Sequence, residues 1–415
     1  MFQGLKLFAL DSIRGFIGLA VVIFGMMYYL YRENVFSWME TYYLILGVST
    51  AGLIFIYLAW YVRYWKFIVM PYSLKLISQP KAETNQSSVF LDRFVKYDKQ
   101  DRILYYKNSN AINVKQYQDK KDEILHFLNL YHNKSVEIEI TPYKRKWVKL
   151  EIFTLPTNEQ FYLGDLKTGY IFYGHSKDGN YYTPLNDLTH SICVGESGSG
   201  KSNLMNLQIY SLLHNWEYIE HLYFVDLKGV ELSRYKLPIA TFVDSVIETD
   251  KLFEELKNIM YQRYKQMQGN GDILFNGKPI FCIVDEVGTI GTSPDKKLRD
   301  TIFNNMIEIF QKGRACKIIL LFYSQKIDST NIPSNVLANI QTKILMKTDS
   351  DFNINNTIGL KEDIELITRF KVADFPKGRA IIKDGITSQK TMIQVPYLPK
   401  QLQDTMIEYF YKSIR

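Results

Sequence analysis

Eight consecutive residues, Gly195, Glu196, Ser197, Gly198, Ser199, Gly200, Lys201 and Ser202, match the pattern G-x-x-x-x-G-K-[ST]. Residues of these types at this spacing cradle a polyphosphate. Glycines let backbone N–H groups turn inward where most side chains would clash. A helix starting near Lys201 presents its positive end to the phosphates. Lys201 would reach the β- and γ-phosphates, Ser202 would hold Mg²⁺, and Asn203 closes the nucleotide-binding set. A Gly/Ser-rich turn can match this pattern by accident, so context decides. The apolar run Ile192-Cys193-Val194 precedes the loop and a helix-like stretch to His214 follows, which is the strand–loop–helix order the chemistry needs.

Further polar residues follow apolar runs downstream. Ile280-Phe281-Cys282-Ile283-Val284 ends in Asp285-Glu286. Asp285 would hold Mg²⁺ through its water shell, and Glu286 would orient and deprotonate an attacking water. An acidic pair after an apolar run is common in ordinary loops, but here it lies a strand and a helix beyond the phosphate loop. The run ending at Tyr323 leads to Ser324-Gln325, where Gln325 could sense the γ-phosphate or position the attacking water. The run ending at Val225 leads to Asp226-Leu227-Lys228-Gly229, which reads as a turn with a surface ion pair. The implied cofactors are ATP and Mg²⁺.

These residues need a scaffold that places strand ends side by side. From about His190 the pattern is one of short apolar runs, Leu222–Val225, Ile280–Val284, Ile318–Tyr323 and Ile344–Met346, separated by helical stretches at Thr249–Gln268 and Leu298–Lys312. Continuous apolar runs are expected where helices cover both faces of a parallel sheet. The fold class predicted is α/β: a P-loop (RecA-like) motor domain with a parallel sheet, whose ligands bind at the carboxyl ends of the strands.

Before the motor, Val136, Ile138 and Ile140 alternate with Glu137, Glu139 and Thr141. After the basic turn Lys144-Arg145-Lys146, Val148, Leu150 and Ile152 alternate with Lys149 and Glu151. This predicts a two-stranded antiparallel ribbon in a small α+β region. At the N-terminus, about 15–31 and 41–62 are apolar runs long enough to cross a hydrocarbon core of roughly 30 Å, with tyrosines and Trp60 crowding their ends. A signal peptide and a buried helical hairpin are the rivals for these runs. Lys6 and Arg14 before the first run, and Arg63, Lys66 and Lys75 after the second, place both ends in the cytoplasm by the positive-inside rule. The expected organisation is 1–77 as a two-helix membrane anchor, 78–95 as a linker, 96–184 as the α+β region and 185–415 as the motor.

The 415 residues carry a net charge of +7, which permits a nucleic-acid or anionic-lipid partner and requires neither. Cys193, Cys282 and Cys316 lack C-x-x-C spacing and read as reduced core residues, and the six histidines show no metal-ligand spacing.

Taken together, these motifs resemble the FtsK/SpoIIIE branch of the FtsK–HerA DNA-pumping ATPases, over roughly Leu185 to Gly385. The phosphate loop is similar to the family's G-x-T-G-S-G-K-S, with Ser197 in place of Thr. Val225-Asp226-Leu227-Lys228-Gly229-Val230-Glu231-Leu232 resembles I-D-P-K-x-x-E-L, with Leu227 for Pro. Met260-Tyr261-Gln262-Arg263-Tyr264 resembles M-E-R-R-Y. Lys312-Gly313-Arg314-Ala315 and the strand to Ser324-Gln325 resemble K-x-R-A-x-G-I-H-x-x-x-x-T-Q-R-P, with Lys326-Ile327 for Arg-Pro. Two membrane runs and no room for a C-terminal winged-helix reader before Arg415 give the pattern of the TcpA-like conjugative coupling proteins of Gram-positive mobile elements.

The resemblance implies a membrane-anchored, multi-pass, ATP-driven DNA translocase with a cytoplasmic motor. It implies a homo-oligomer, a hexameric ring, with relaxase and transfer-channel partners. A neighbouring subunit's arginine would serve the γ-phosphate, with Arg314 and Arg263 as candidates and Arg379 a weaker one; each could instead form a structural ion pair. Lys296 and Lys297, in the loop after Asp285-Glu286, and Lys326 are the candidate DNA contacts, with solvated surface lysines as the alternative. The rival functions are a chromosome-segregation or division translocase, a protein-secretion motor, and a scaffold with a degenerate ATP site.

Overall fold

The computed structural model describes residues 28, 29, 32, 38–74, 76 and 93–414, except 101, 108–113, 131–135, 145, 146, 328–331, 360–363, 365, 366, 369 and 370. The chain divides into two compact units, Met1–Asn133 with Ile140–Glu151, and Lys134–Glu139 with Ile152–Arg415.

In the first unit, helix α1 (Trp38–Ser73) contains one stretch, Tyr42–Pro71, long and apolar enough to cross a membrane. It runs past the end expected at residue 62. The other expected span, 15–31, falls outside the described residues apart from Tyr28 and Tyr29, and so does most of the 78–95 linker. Leu53, Ile54 and Ile56 of α1 are exposed, whereas Phe67 and Met70 are buried. The change coincides with packing: Trp60, Tyr64 and Phe67 all lie against the Phe94 ring. Pro71 cannot donate to the Phe67 carbonyl one turn earlier. The buried Tyr106 hydroxyl donates to that carbonyl instead, at 2.8 Å.

Strands β1 (Arg93–Asp98) and β2 (Ile103–Lys107), helices α2 (Val114–Asp119) and α3 (Lys121–Asn129), and strands β3 (Glu137–Tyr143) and β4 (Trp147–Phe153) follow. The expected ribbon is half of a four-stranded sheet in the order β1-β2-β4-β3. Val148, Leu150 and Ile152 are buried as the alternation requires, but so is Glu137.

The second unit holds β5 (Tyr170–Ser176), β6 (Gly179–Pro184), β7 (Ser191–Val194), α4 (Lys201–His214), β8 (His221–Asp226), β9 (Ala240–Val243), α5 (Val246–Asn270) and β10 (Ile280–Asp285). It continues with α6 (Gly288–Gly291), α7 (Lys296–Lys312), β11 (Ile318–Ser324), α8 (Ser334–Asn339), β12 (Thr342–Leu345), α9 (Asp351–Thr357), β13 (Arg379–Lys383), β14 (Lys390–Gln394) and α10 (Lys400–Ile414). One ten-stranded sheet runs β6-β5-β14-β13-β12-β7-β11-β10-β8-β9.

From β12 to β9 every pairing is parallel, and the central strands β7, β11 and β10 are buried on both faces, while the edge strand β9 is partly exposed. Phe281 and Ile283 of β10 join the core made with α4 and α10, while Ile280, Cys282 and Val284 join the core made with α5 and α7. The three cysteines are free and buried in these layers.

The expectation of a parallel sheet needs correction. The sheet is mixed, because β13, β14, β5 and β6 add antiparallel to β12. A tight turn takes the place of a crossover helix between β13 and β14. Asp384 Oδ1 accepts from the Ile386 and Thr387 amides at 3.0 and 2.7 Å, and so fixes the reversal that an antiparallel pair allows.

Candidate functional site

The phosphate loop leaves β7 and enters α4. Gly198 and Gly200 take positive φ values of 79° and 105°, conformations that L side chains rarely adopt. A Cβ on Gly200 would come within 3.0 Å of the Gly378 nitrogen, and the Gly378 amide donates to the Ser199 carbonyl at 2.8 Å. The loop is therefore buttressed from the start of β13. No side chain caps α4, so its first N–H groups face outward without intrahelical acceptors. The buried Ser199 hydroxyl has no hydrogen-bond partner. Left-handed glycines, an orphaned hydroxyl and an uncapped helix start fit a bound polyphosphate.

Two members of the expected binding set are engaged elsewhere. The Glu196 carboxylate accepts from the Asp349 amide at 2.6 Å, which holds it below the usual carboxylate range and turned from the loop's interior. The Asn203 side chain donates to Pro396 O at 2.7 Å and accepts from Leu398 N at 2.9 Å, so it braces a wall. Ser197 and Gly198 are exposed, Ser202 is half-buried, and Gly195 packs against Ser199 and Met346.

Parallel register brings the other strand ends alongside. Val194 pairs with Ser324 of β11, and Asp285 of β10 pairs with Asp226 of β8. Asp285 is buried, and burial pushes its carboxyl up to about 6, opposed by Lys201 and reinforced by Asp226, Glu286 and Glu231. Glu286 sits just past the strand at φ 52°, left-handed for a non-glycine residue. Its Oε1 accepts from the Gln325 backbone N–H at 3.1 Å, with the Ser324 hydroxyl 3.3 Å away. Its Oε2 lies 3.4 Å from Lys228 Nζ and 3.9 Å from Lys201 Nζ. Lys201, Asp285, Glu286 and Gln325 thus gather at one edge. Lys228 joins them, although in sequence it reads only as part of a turn.

The arginine candidates separate. Arg263 is buried, bonded to Glu220 at 2.8 Å and to Cys316 O at 2.6 Å, with Phe275 beneath it at 4.4 Å. Arg379 is buried against Glu137 at 2.7 Å and Gln394 at 3.0 Å. Both geometries favour the structural ion pair over a cation that serves a neighbour. Arg314 is exposed just before β11. Seven residues of strand, about 23 Å, separate it from Ser324, so it does not reach its own phosphate loop. Lys296 and Lys297 are exposed, and they form the first turn of α7 instead of a loop. Lys326 is exposed directly after β11.

Beside the loop lies a cavity of about 280 Å³, lined by Gly200, Asn203, Lys377, Gly378, Val395 and Tyr397 among others. That is near the lower end for small-molecule sites, roughly 300 Å³. Sequence reasoning missed these walls, which come from segments far apart in the chain.

No family model matches the chain. Its sequence is similar to the DNA translocase FtsK of Mycobacterium leprae (strain TN), 26% identical over 250 residues, 52% of this chain and 28% of that protein. It is likewise similar to the DNA translocase FtsK of Staphylococcus aureus (strain Mu50), 26% identical over 249 residues, 54% and 30% of the two chains. The chain spans about a quarter to a third of the length of the curated relatives it matches. Its fold is similar to that of the pCW3 conjugation coupling protein TcpA, solved as a monomer with ATPgS: TM-score 0.56, 19% identity, 84% of this chain and 99% of that one. ATPases 2 and 3 of EssC from Geobacillus thermodenitrificans give a TM-score of 0.50 at 17% identity, over 63% and 53%. The fold is that of a P-loop ATPase, and the resemblance to FtsK/SpoIIIE translocases and coupling proteins stands.

Proposed function

We propose that this chain is an ATP-driven DNA translocase, anchored in a membrane by its N-terminal helices, which works as a hexameric ring and couples DNA to a conjugative transfer channel. The observation that carries the motor reading is the meeting of the phosphate loop, Asp285, Glu286 and the backbone N–H of Gln325 at the carboxyl ends of the adjacent strands β7, β11 and β10. Ser202 and Asp285 would hold Mg²⁺, which neutralises charge on ATP's phosphates. A cation there also offsets the burial of the Asp285 carboxylate. Lys201 takes the β- and γ-phosphates, Glu286 accepts the proton of the attacking water, and Gln325 orients that water. The cavity beside Gly200 supplies room for the base and ribose.

Exposed Lys296, Lys297 and Lys326 suit contacts to DNA phosphates, which a pump of any sequence needs. Arg314, out of reach of its own loop, suits service to a neighbour in the ring. The conjugation reading draws on the TcpA likeness, which extends over 84% of this chain. A relaxase bound to DNA would then be the substrate delivered to the ring, with channel proteins as further partners. The FtsK relatives, themselves DNA translocases, suit a segregation or division translocase as the alternative reading, and a protein-secretion motor is the other.

ATP hydrolysis by the full-length protein in lipid nanodiscs, with and without DNA, tests the reading. DNA of unrelated sequences should raise turnover several-fold, as phosphate-only contacts predict. Turnover indifferent to DNA would overturn it. In the host, deletion should abolish transfer of the mobile element; chromosomes trapped at septa with normal transfer would assign the segregation role instead.

A further inference from the structure

We propose that Lys228 is a positioning residue for hydrolysis: it holds one oxygen of Glu286, so that the carboxylate stays aimed at the attacking water while Lys201 engages the phosphates. This rests on the ATPase reading above.

The cation is delivered by a preorganised turn. Asp226 is 1% exposed, and its carboxylate closes the loop that follows β8. Oδ1 accepts from the amides of Lys228 at 3.1 Å and Gly229 at 2.9 Å, and Oδ2 accepts from Leu232 at 2.9 Å. Gly229 completes the reversal at φ 68°. The backbone of Lys228 is thus fixed two residues beyond the partner of Asp285 in the sheet. The turn that the sequence suggests here is present, but Asp226 is buried and bonds backbone amides instead of forming a surface ion pair.

Glu286 needs an external hold. Its left-handed backbone persists only when its surroundings over-determine it. Oε1 is secured by the Gln325 backbone N–H, with Ser324 close by. Oε2 faces two ammonium groups, Lys228 at 3.4 Å and Lys201 at 3.9 Å. Lys201 belongs to the phosphate loop, and a polyphosphate draws its ammonium away. Lys228 then remains as the cation on Oε2. Its side chain is 50% exposed, so the pair contributes little to stability. Its effect is on aim, where displacements of about 1 Å are costly in rate.

The test compares Lys228→Met and Lys228→Arg in the full-length protein. Lys228→Met should lower kcat about tenfold, while the KM for ATP and the Kd for ATPγS with Mg²⁺ stay within about twofold. Lys228→Arg should restore most of the rate. In a Glu286→Gln background, Lys228→Met should change the residual rate no further. An unchanged kcat would overturn the proposal. A raised Kd with kcat preserved would overturn it in favour of a phosphate contact. Loss of nucleotide binding in both variants would make Lys228 a structural part of the turn. Wild-type protein that binds ATPγS and never hydrolyses ATP would remove the ATPase reading itself, and the role of Lys228 with it.

Discussion

At each half of the ten-stranded sheet a glutamate meets a cation, under opposite conditions. Arg379 of the antiparallel half meets Glu137, from β3 of the four-stranded sheet, at 2.7 Å, with side chains 1% and 4% exposed. That guanidinium also bonds Gln394 at 3.0 Å and Leu155 O at 3.1 Å. In the parallel half, Glu286 stands on a left-handed backbone at a strand end, with its cations at 3.4 and 3.9 Å. A pair that is dry and fully bonded is architecture. A pair with long, shared contacts at a strand end is available to a ligand. The first supports the second: Gly378, next to Arg379, donates to Ser199 of the phosphate loop.

The largest expected effect breaks the open pair. Glu286→Gln should slow ATP hydrolysis by about 10²–10⁴-fold, because the amide cannot take the proton. Nucleotide binding should persist, since Lys201 and the loop amides are untouched. Lys201→Ala should instead lose binding. Rapid hydrolysis by the Gln variant, read by phosphate release, would remove Glu286 from the base role.

Breaking the closed pair should act on stability and not on chemistry. Arg379→Ala leaves Glu137 charged and buried, which costs about 3–5 kcal/mol in comparable cases. Arg379→Met with Glu137→Met together should recover much of that loss, because no charge is stranded. Thermal unfolding checks both. A folded, stable Arg379→Ala protein that binds ATP and fails only in turnover would revive Arg379 as a catalytic cation.

The same contrast explains what was legible in the sequence. The phosphate loop, Asp285-Glu286 and the parallel strands follow from local spacing and from apolar runs that two helical layers must cover. The antiparallel half was not legible, since it rests on a turn tied by Asp384 and on pairings between β14 and β5, over 200 residues apart. Alternation predicts an outward Glu137, yet it is buried, because the arginine that satisfies it lies 242 residues away. Arg263 reads as a motif cation for the same reason: Glu220 and Cys316 O reach it only in the fold. Lys228 was visible within Asp226-Leu227-Lys228-Gly229, but its target, 58 residues on, was not.

A smaller effect is expected at the exposed lysines of the chemical edge. Changing Lys296, Lys297 and Lys326 to Ala should reduce the salt slope of DNA binding by about 1 for each phosphate no longer neutralised, equally for unrelated sequences. Lys296 and Lys297 stand at a helix N-terminus, where cations are unfavourable, so their removal should not destabilise α7. An unchanged slope in fluorescence titrations across salt concentrations would make them ordinary solvated lysines.

In stability the two halves should separate by sign. Arg379→Ala should destabilise, whereas Asp285→Asn should stabilise the nucleotide-free protein while abolishing turnover. Burial raises the Asp285 carboxyl from 3.8 to about 6. A raised acid favours the fold fully when protonated, below the unfolded value near 4, and loses that contribution as pH climbs through 6. At pH 7.5 the wild-type site therefore carries a buried charge that opposes folding, by about 3 kcal/mol. The asparagine removes that charge and should raise the melting temperature by a few degrees. At pH 4 wild-type Asp285 is already neutral, so the advantage should vanish. Saturating Mg²⁺ and nucleotide should also erase it, because the bound cation compensates the wild-type carboxylate alone. An asparagine variant that melts below wild type at pH 7.5 without nucleotide would mean that Asp285 is held by the fold, as Glu137 is, and not kept open for a ligand.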